Sequence, residues 1–180
     1  MKTKLFVIFI VLLSLTSVRK VQAQGIAIKT NLAGWAVFAP NLGVDLCVNE
    51  SSSIEAIFYK SVADSWVKNL NFTALQLEYK YWFDREPLNS MFIGITATPA
   101  RYNIKDINRR GDCIPFGINI GYCLPLSDKM NIEFSYGIGA LYLFEDFYSG
   151  EIAEENIIGS RRDLSFSPVS IGINLSYIIK

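Results

Sequence analysis

The strongest candidates for chemistry are six charged residues that lie in segments with strand character. They are Lys29, Asp45, Glu55, Glu78, Lys80 and Glu133. A carboxylate pair such as Glu78 with Glu55, or Glu78 with Glu133, could divide the roles of general acid and general base if their surroundings differed. The chain contains no histidine, however, which is the commonest general base of enzymes. This excludes Ser-His-Asp and Cys-His sites, so we predict ion pairing among the six residues and no enzymatic activity.

Metal and cofactor sites are not indicated either. Cys47, Cys113 and Cys123 lack the CxxC spacing of zinc sites and have no histidine to complete a ligand set. We therefore expect no metal, no cofactor and small buried thiols. Cys113 and Cys123 lie on one predicted strand, about 33 Å apart when extended, so they cannot bond to each other. A disulfide between Cys47 and one of the other two stays open.

A second group of charged residues lies in a long connection near the C-terminus. The segment Glu145–Asp163 is predicted to be an exposed loop, and exposed loops on rigid scaffolds often carry binding sites. Its charges could bind a surface partner or cations that bridge lipopolysaccharide, and an ordinary solvated loop is the alternative. The candidate partner-binding residues are Glu151, Glu154, Glu155, Arg161 and Arg162.

The segments that must position these residues alternate like β-strands. In Phe72–Phe83, apolar residues alternate with Gln76, Glu78 and Lys80, which gives one apolar and one charged face. Seven further segments have the same character. They are Gly25–Trp35, Pro40–Val48, Ser53–Val62, Met91–Ile104, Cys113–Leu124, Asn131–Glu145 and Val169–Ile179. Pro99 must lie at a bulge or where the ladder needs no donor. The sequence thus predicts eight strands and an all-β fold.

The connections between the strands support a barrel. The predicted inner turns are 49–52, 84–90 and 127–129, and the predicted outer links are 36–39, 63–71, 105–112 and 146–164. The turns are short, whereas three of the four links are longer, and this asymmetry is typical of outer-membrane barrels. An even number of strands also brings both termini to the same side.

The first 23 residues have the layout of a secretory signal peptide. Lys2 and Lys4 precede an apolar run at 5–15 that is too short to cross a bilayer as a helix. We expect cleavage after Ala23, which leaves 24–180 as one β-barrel domain. Cleavage would remove four of the 17 basic residues and none of the 17 acidic ones, so 13 would remain against 17, a net charge of −4. This balance argues against nucleic acid as a partner.

The direction of the two faces decides between a membrane protein and a soluble one, because both barrels use the same alternation. The polar face is rich in Gly, Ser, Asn and Ala, which suits a narrow, closed lumen. Aromatic residues near both ends of the strands predict girdles at the two bilayer interfaces. They are Trp35, Tyr79, Tyr81, Phe83, Phe116, Tyr122, Tyr142, Phe144 and Tyr177. We therefore predict that the apolar faces point outward to lipid.

Three motifs stand out along the chain. They are Ile26–Ala36 followed by Ala39–Asp45, then Leu77–Phe83, and finally Ile171–Ile173 in the closing strand. Together they resemble a Bacteroidetes family of outer-membrane β-barrels of unknown function, with Lys80 where the family usually has arginine. The resemblance spans nearly the whole mature chain and implies a barrel in the outer membrane. Members are often encoded beside fimbria-like surface proteins, which the resemblance makes a possible partner class, and it implies no reaction.

The sequence therefore predicts an eight-stranded, antiparallel, up-and-down transmembrane β-barrel in the outer membrane of a Gram-negative bacterium, preceded by a cleaved signal peptide. Its expected role is non-enzymatic: structural, in envelope integrity or in the assembly of surface fibres such as fimbriae. The expected partners are outer-membrane lipid and lipopolysaccharide. The alternative is a soluble periplasmic barrel, similar to a lipocalin, that binds a small apolar ligand.

Overall fold

The structure of the chain is a computed structural model, and it describes residues 25–62, 70–149 and 156–179. The predicted signal peptide, residues 1–23, lies outside the described residues. Within them the chain forms nine β-strands, a short helix α1 (Leu32–Ala36) and a 3-10 helix (Lys105–Ile107). The strands are β1 (Ile26–Asn31), β2 (Asn41–Asn49), β3 (Ser52–Lys60), β4 (Leu70–Trp82), β5 (Met91–Ala97), β6 (Ala100–Ile104), β7 (Arg109–Ser127), β8 (Met130–Tyr148) and β9 (Ile157–Ile178).

The described strands form a closed antiparallel ring. β1 closes it by pairing with β9 in a register that sets Asn31 opposite Asn174. β5 and β6 share the same neighbours, β4 and β7, because they are two parts of one strand that is interrupted at Thr98 and Pro99. The ring therefore has eight strand positions, which confirms the predicted eight-stranded up-and-down β-barrel.

Pro99 lies outside the regular ladder, as the sequence predicts. The Thr98 backbone N–H donates to the Pro115 carbonyl at 2.8 Å, and the Leu75 N–H donates to the Pro99 carbonyl at 3.1 Å. The interruption is therefore bonded to β7 on one side and β4 on the other without requiring a donor from the proline.

β1 is shorter than predicted, because the chain turns into α1 after Asn31. The Asn31 side-chain oxygen accepts a hydrogen bond from the Ala33 backbone N–H at 2.9 Å and caps the helix. Trp35 therefore lies in a helical turn at the rim and not in a strand, and its indole N–H donates to Thr30 Oγ1 at 2.7 Å. No helix in the described part of the chain is long and apolar enough to cross a membrane.

The last three strands are longer than predicted. β8 continues to Tyr148 and β9 begins at Ile157, so the predicted loop Glu145–Asp163 is wrong at both of its ends. Charged residues occupy successive positions there, in Glu145–Asp146 and in Arg161–Asp163, which hides the alternation, yet the backbone ladder continues with Glu145 opposite Arg161. β7 likewise starts within the predicted link 105–112. We call this upper part of the sheet, which consists of Arg109–Asp112, Leu143–Tyr148 and Ile157–Ser167, the extension.

Side chains alternate between the interior and the exterior of the ring, and the interior is the polar side. In β7, Asn119 is 0% exposed, whereas Ile118 and Ile120 are 53% and 50% exposed. In β1, Lys29 is buried and Ile28 is exposed. The apolar faces of the strands thus point outward.

Two glycines allow β7 and β8 to approach each other closely. Gly117 and Gly139 lie opposite one another. A Cβ atom at Gly117 would overlap the Ile138 carbonyl oxygen and lie 2.8 Å from Gly139 Cα, and one at Gly139 would overlap the Phe116 carbonyl oxygen. These are backbone atoms, which cannot rotate away as a side chain can. The contact therefore requires glycine at both positions.

Gly117→Ala should destabilise the barrel by about 1–3 kcal/mol, the usual cost of overpacking. Gly159→Ala is the matched control, because the nearest atom to its added Cβ, Phe147 Cδ2, is 3.8 Å away. The free energy of unfolding of both refolded variants is measured by urea titration. Equal stability of the two variants would contradict the close approach at Gly117.

Candidate functional site

The interior of the barrel holds five charged side chains in contact, which we call the lumen cluster. They are Lys29 (β1), Asp45 (β2), Glu55 (β3), Lys80 (β4) and Glu133 (β8). Each is 0–1% exposed. Because these charges are removed from water, each needs a partner inside the protein.

Lys29 contacts all three carboxylates of the cluster. Its Nζ donates to Asp45 Oδ2 at 3.0 Å, to Glu55 Oε2 at 2.7 Å and to Glu133 Oε2 at 2.7 Å. An ammonium group has three N–H donors, so these three acceptors use all of them.

Lys80 contacts the same three carboxylates. Its Nζ lies 2.6 Å from Glu55 Oε2, 2.9 Å from Glu133 Oε1 and 3.4 Å from Asp45 Oδ2. It also lies 4.6 Å from the ring centroid of Phe92, on the inner side of the cluster. Two ammonium groups therefore bridge three carboxylates, an arrangement that is stable when buried only if every charge keeps its partners.

The registers of the strands explain why these charges meet. Asp45 and Glu55 are directly opposite across β2 and β3, where two like charges alone would be destabilising. Lys29 has Gly43 opposite it on β2, and Lys80 has Gly94 opposite it on β5. All of these side chains share the parity that points into the lumen, so they meet there, and neither lysine has a bulky side chain directly opposite it.

Glu78, the sixth predicted residue, lies apart from the ion pairs. It is buried and opposite Glu55, but its hydrogen bonds come from amides: Asn119 Nδ2 donates to its two oxygens at 2.9 and 3.0 Å, and Gln76 Nε2 donates at 3.4 Å. A Cβ atom at Gly94 would overlap the Glu78 carboxyl group, so the glycine provides its space. Glu78 belongs to a hydrogen-bonded layer next to the lumen cluster.

Neutral polar residues surround both Glu78 and the lumen cluster, and they were not among the candidate site residues predicted from the sequence. Tyr59 Oη donates to Gln76 Oε1 at 3.0 Å and accepts from Asn31 Nδ2 at 3.1 Å. Asn174 Nδ2 donates to Glu133 Oε1 at 2.9 Å. Their positions could have identified them. They alternate in step with the charged residues on the same strands and so point into the lumen, although they carry no charge.

An apolar layer closes the inner end of the lumen. Leu88, in the turn between β4 and β5, has a positive φ of 69° and is buried. Its carbonyl accepts from Asn131 Nδ2 at 2.7 Å, which holds the turn in the barrel mouth. The layer consists of Ala27, Cys47, Trp82, Leu88, Phe92 and Cys123. All three cysteines are free thiols, so the open pairing of Cys47 is not formed.

The lumen cluster also contains the described residues that are best suited to hold a cation. Asp45, Glu55 and Glu133 each have an oxygen within 4.8 Å of the others. The Lys29 and Lys80 ammonium groups already bond these carboxylates, so the chain supplies the positive charge itself. What the arrangement can do is tie five strands together and fill the cross-section of the barrel.

The chain matches the family described as "Protein of unknown function (DUF3575)" over residues 6–179. The chain belongs to this family. The match confirms the predicted membership in a family of unknown function. No curated protein and no solved structure matches the chain.

In this DUF3575 protein the predicted girdle residues lie on the outside of the ring. Tyr142 and Phe144 are half-buried because their rings pack edge to face, with centroids 4.5 Å apart. The other seven are 46–53% exposed: Trp35, Tyr79, Tyr81, Phe83, Phe116, Tyr122 and Tyr177.

The predicted partner-binding residues divide into two groups. Glu151, Glu154 and Glu155 lie outside the described residues. Arg161 and Arg162 lie in β9, within the extension, and not in a loop. Arg161 forms an ion pair with Asp163, and the Arg162 guanidinium lies 5.6 Å from the ring centroid of Phe144.

A further ion pair joins β6 to the lower part of the extension. The Arg101 guanidinium donates to both oxygens of Asp112, at 2.7 and 3.1 Å, and these hydrogen bonds lower the pKa of the Asp112 carboxyl. Both side chains are more than half exposed, so the pair contributes little to stability.

Lys80→Met should destabilise the barrel by about 3–5 kcal/mol, because it leaves three buried carboxylates with Lys29 as their remaining cation. Lys60→Met is the matched control: Lys60 is exposed and donates to Thr73 Oγ1, so its replacement should change stability by less than about 0.5 kcal/mol. Urea titration of both variants measures the difference. A Lys80→Met variant as stable as Lys60→Met would contradict the lumen cluster.

Proposed function

We propose that this protein is an integral outer-membrane β-barrel of a Gram-negative bacterium, with a closed lumen and a structural, non-enzymatic role in the cell envelope. The observation that supports the proposal is the direction of the two faces, apolar outward and charged inward. In water this arrangement would be unfavourable, because exposed apolar surface costs roughly 25 cal/mol per Å² and monomeric proteins seldom expose large apolar patches. In a bilayer the same outer surface contacts the hydrocarbon chains of the lipids, which are also apolar.

The height of the outward apolar band also fits a bilayer. In β7 the exposed apolar side chains of the regular ladder run from Leu124 to Ile114, and Leu126 follows at the register shift that ends the strand. Ten residues of strand extend roughly 33 Å, or about 25 Å in height at a tilt near 40°, which is the height of the apolar band of outer-membrane barrels. We assign this part of β7 to the bilayer, and the extension that begins at Asp112 to the space outside it.

Ring closure supports the proposal independently. Hydrocarbon provides no hydrogen-bonding partners, so a spanning sheet must pair every backbone N–H and C=O group with another strand. β1 and β9 pair over Asn31 to Ala27, which leaves no open edge at this level of the ring.

A soluble barrel that binds a small apolar ligand is the less favoured function. It would require an apolar cavity and a polar exterior. The interior holds the lumen cluster and the hydrogen-bonded layer around Glu78, and Leu88 closes its inner end. These features oppose both a ligand cavity and an open pore.

The structural role includes two specific forms. A closed barrel with a rigid interior can contribute to envelope integrity through its contacts with lipid and lipopolysaccharide. It can also serve as a membrane base for the assembly of surface fibres, and this form rests on the resemblance to Bacteroidetes barrels encoded beside fimbria-like proteins. The carboxylates and lysines that an enzyme could use as acids or bases form ion pairs with one another in the lumen cluster, which supports a non-enzymatic role.

Ile118→Arg should weaken insertion into lipid vesicles by about 2–4 kcal/mol, because the side chain lies at mid-height of the apolar band. Ile158→Arg is the matched control: Ile158 is 71% exposed but lies in the extension, so its replacement should have little effect. Folding into vesicles is followed by heat-modifiable migration in gels. If the protein were soluble, arginine would be harmless at both exposed sites, and equal behaviour of the two variants would overturn the proposal.

The same pair of variants tests the role in cells. A strain that lacks the gene should become more sensitive to detergent or lose surface fibres, and Ile158→Arg should restore the phenotype whereas Ile118→Arg should not. An unchanged envelope and fibre inventory in the deletion strain would contradict the structural role.

The purified barrel should not conduct ions in a planar bilayer, because side chains fill its interior. Single-channel recording at neutral pH measures this. Steady unitary conductance of the unmodified protein would contradict a closed lumen.

A further inference from the structure

β9 has a neighbour on only one side over much of its length. It pairs with β8 up to Ile157, but among the described residues its second neighbour, β1, reaches only from Ile178 to Asn174. α1 follows β1 and adds a side-chain contact at Ile171, where Asn31 Nδ2 donates to the carbonyl at 3.2 Å. From Pro168 upward, β9 is the edge of the described sheet.

The backbone groups that face this edge follow from the hydrogen bonds at its base. The Ile171 carbonyl and the Ile173 N–H both bond the Asn31 side chain, so these residues direct their backbone groups away from β8. The register then shifts by one residue, because Gly137 pairs with Ser170 whereas Ile138 pairs with Pro168. Because of this bulge, the even-numbered residues before Val169, and the odd-numbered residues after it, direct their backbone groups away from β8. The residues whose backbone groups face the open edge are therefore Ser160, Arg162, Leu164, Phe166 and Pro168.

The lower end of the edge is closed to pairing. Pro168 has no N–H to offer, and the adjacent bulge at Val169 bends the strand, both of which are features that limit unwanted edge association. Above them, Ser160 to Phe166 is regular strand in which four residues direct an N–H and a C=O to the edge. The Leu164 N–H also donates to Asp163 Oδ1 at 3.0 Å, a bond that a partner strand would replace. A second register shift lies between Phe147 and Tyr148 of β8 and ends this regular stretch.

The same four residues carry their side chains on the outer face. Phe166 and Leu164 are 78% and 62% exposed. Arg162 lies over the ring of Phe144, and Ser160 donates to Asp146 Oδ1 at 2.6 Å. A strand that lay along this edge would meet two apolar side chains near its lower half and a guanidinium above them.

We propose that the edge of β9 from Ser160 to Phe166 binds an extended segment of another polypeptide by β-strand addition. The segment that fits places apolar side chains beside Leu164 and Phe166 and a carboxylate beside Arg162. Main-chain hydrogen bonds provide the affinity, and the alternate side chains provide the specificity.

The geometry favours a different polypeptide over a second copy of this chain. Two barrels in one membrane present β9 with the same tilt relative to the bilayer normal, about 40° in barrels of this kind, so two edges related by an axis along that normal cross instead of aligning. A segment that approaches from outside has no such restriction. Phe166 is opposite Ala140, which is opposite Phe116 of β7, so the lower end of the edge lies at the outer border of the apolar band and the rest lies above it. The proposal rests on the proposed function only in this placement.

The test measures binding of synthetic peptides to the purified full barrel in detergent. The probe is a fluorescent peptide of about seven residues that alternates valine and threonine, with glutamate replacing the central valine. Its matched partner carries lysine at that position. Fluorescence anisotropy should give at least about tenfold tighter binding of the glutamate peptide, and Arg162→Glu should reverse this order.

The backbone contribution is tested separately. Phe166→Pro removes one edge N–H without touching the ladder to β8 and should weaken binding by up to about tenfold, whereas Phe166→Val, which keeps the N–H and an apolar side chain, should stay within about twofold. A probe N-methylated at its pairing amides should lose binding to the unmodified barrel, which avoids any effect on folding. Hydrogen exchange should slow at Ser160 to Phe166 when the probe binds.

Three results would overturn the proposal: equal binding of the glutamate and lysine peptides, undiminished binding of the N-methylated probe, or no binding of either peptide. None of them depends on a bilayer. A negative result here therefore leaves the vesicle result for Ile118→Arg unaffected, and a failure of membrane insertion leaves the peptide result intact.

Discussion

The structure depends on the ion pairs that two lysines form with three carboxylates in the barrel interior. A ring of eight strands has room inside for side chains but little else, so any charge on the inner face must find its partner within the ring. Lys29 and Lys80 each reach Asp45, Glu55 and Glu133, and this shared set of acceptors makes the polar interior possible. The apolar exterior is the other consequence of the same alternation.

The interior is layered along the barrel axis. The apolar layer under Leu88 closes the inner mouth, the lumen cluster fills the next level, and the amides that surround Glu78 lie above it. The apolar packing is concentrated in the layer under Leu88 and the ion pairs in the lumen cluster, so no single level has to provide both. The Lys80 side chain connects two layers, because its ammonium group meets both the carboxylates and the ring of Phe92.

Period-two alternation was sufficient to predict the strand count, the closed ring and the inward set of charged residues. It could not reveal the helical turn at Leu32–Ala36, which is stabilised by a cap from Asn31 that overrides the strand pattern. It also missed the extension, because successive charged residues such as Glu145 and Asp146 hide the alternation although a backbone ladder holds this part of the chain. The partners of Glu78 were missed since neutral amides such as Asn119 give no charge signal, and their role emerges only from cross-strand register.

The sequence separation within the lumen cluster has a consequence for the order of assembly. Lys29, Asp45, Glu55 and Lys80 all belong to the first half of the chain and balance in charge by themselves, whereas Glu133 lies 104 residues beyond Lys29. A half-built sheet therefore leaves one donor on each lysine unsatisfied until β8 arrives. When the ring closes, Glu133 of β8 bonds the lysines in the interior and β9 pairs with β1. Because both sets of bonds form together, closure of the barrel should be an all-or-none final step in folding.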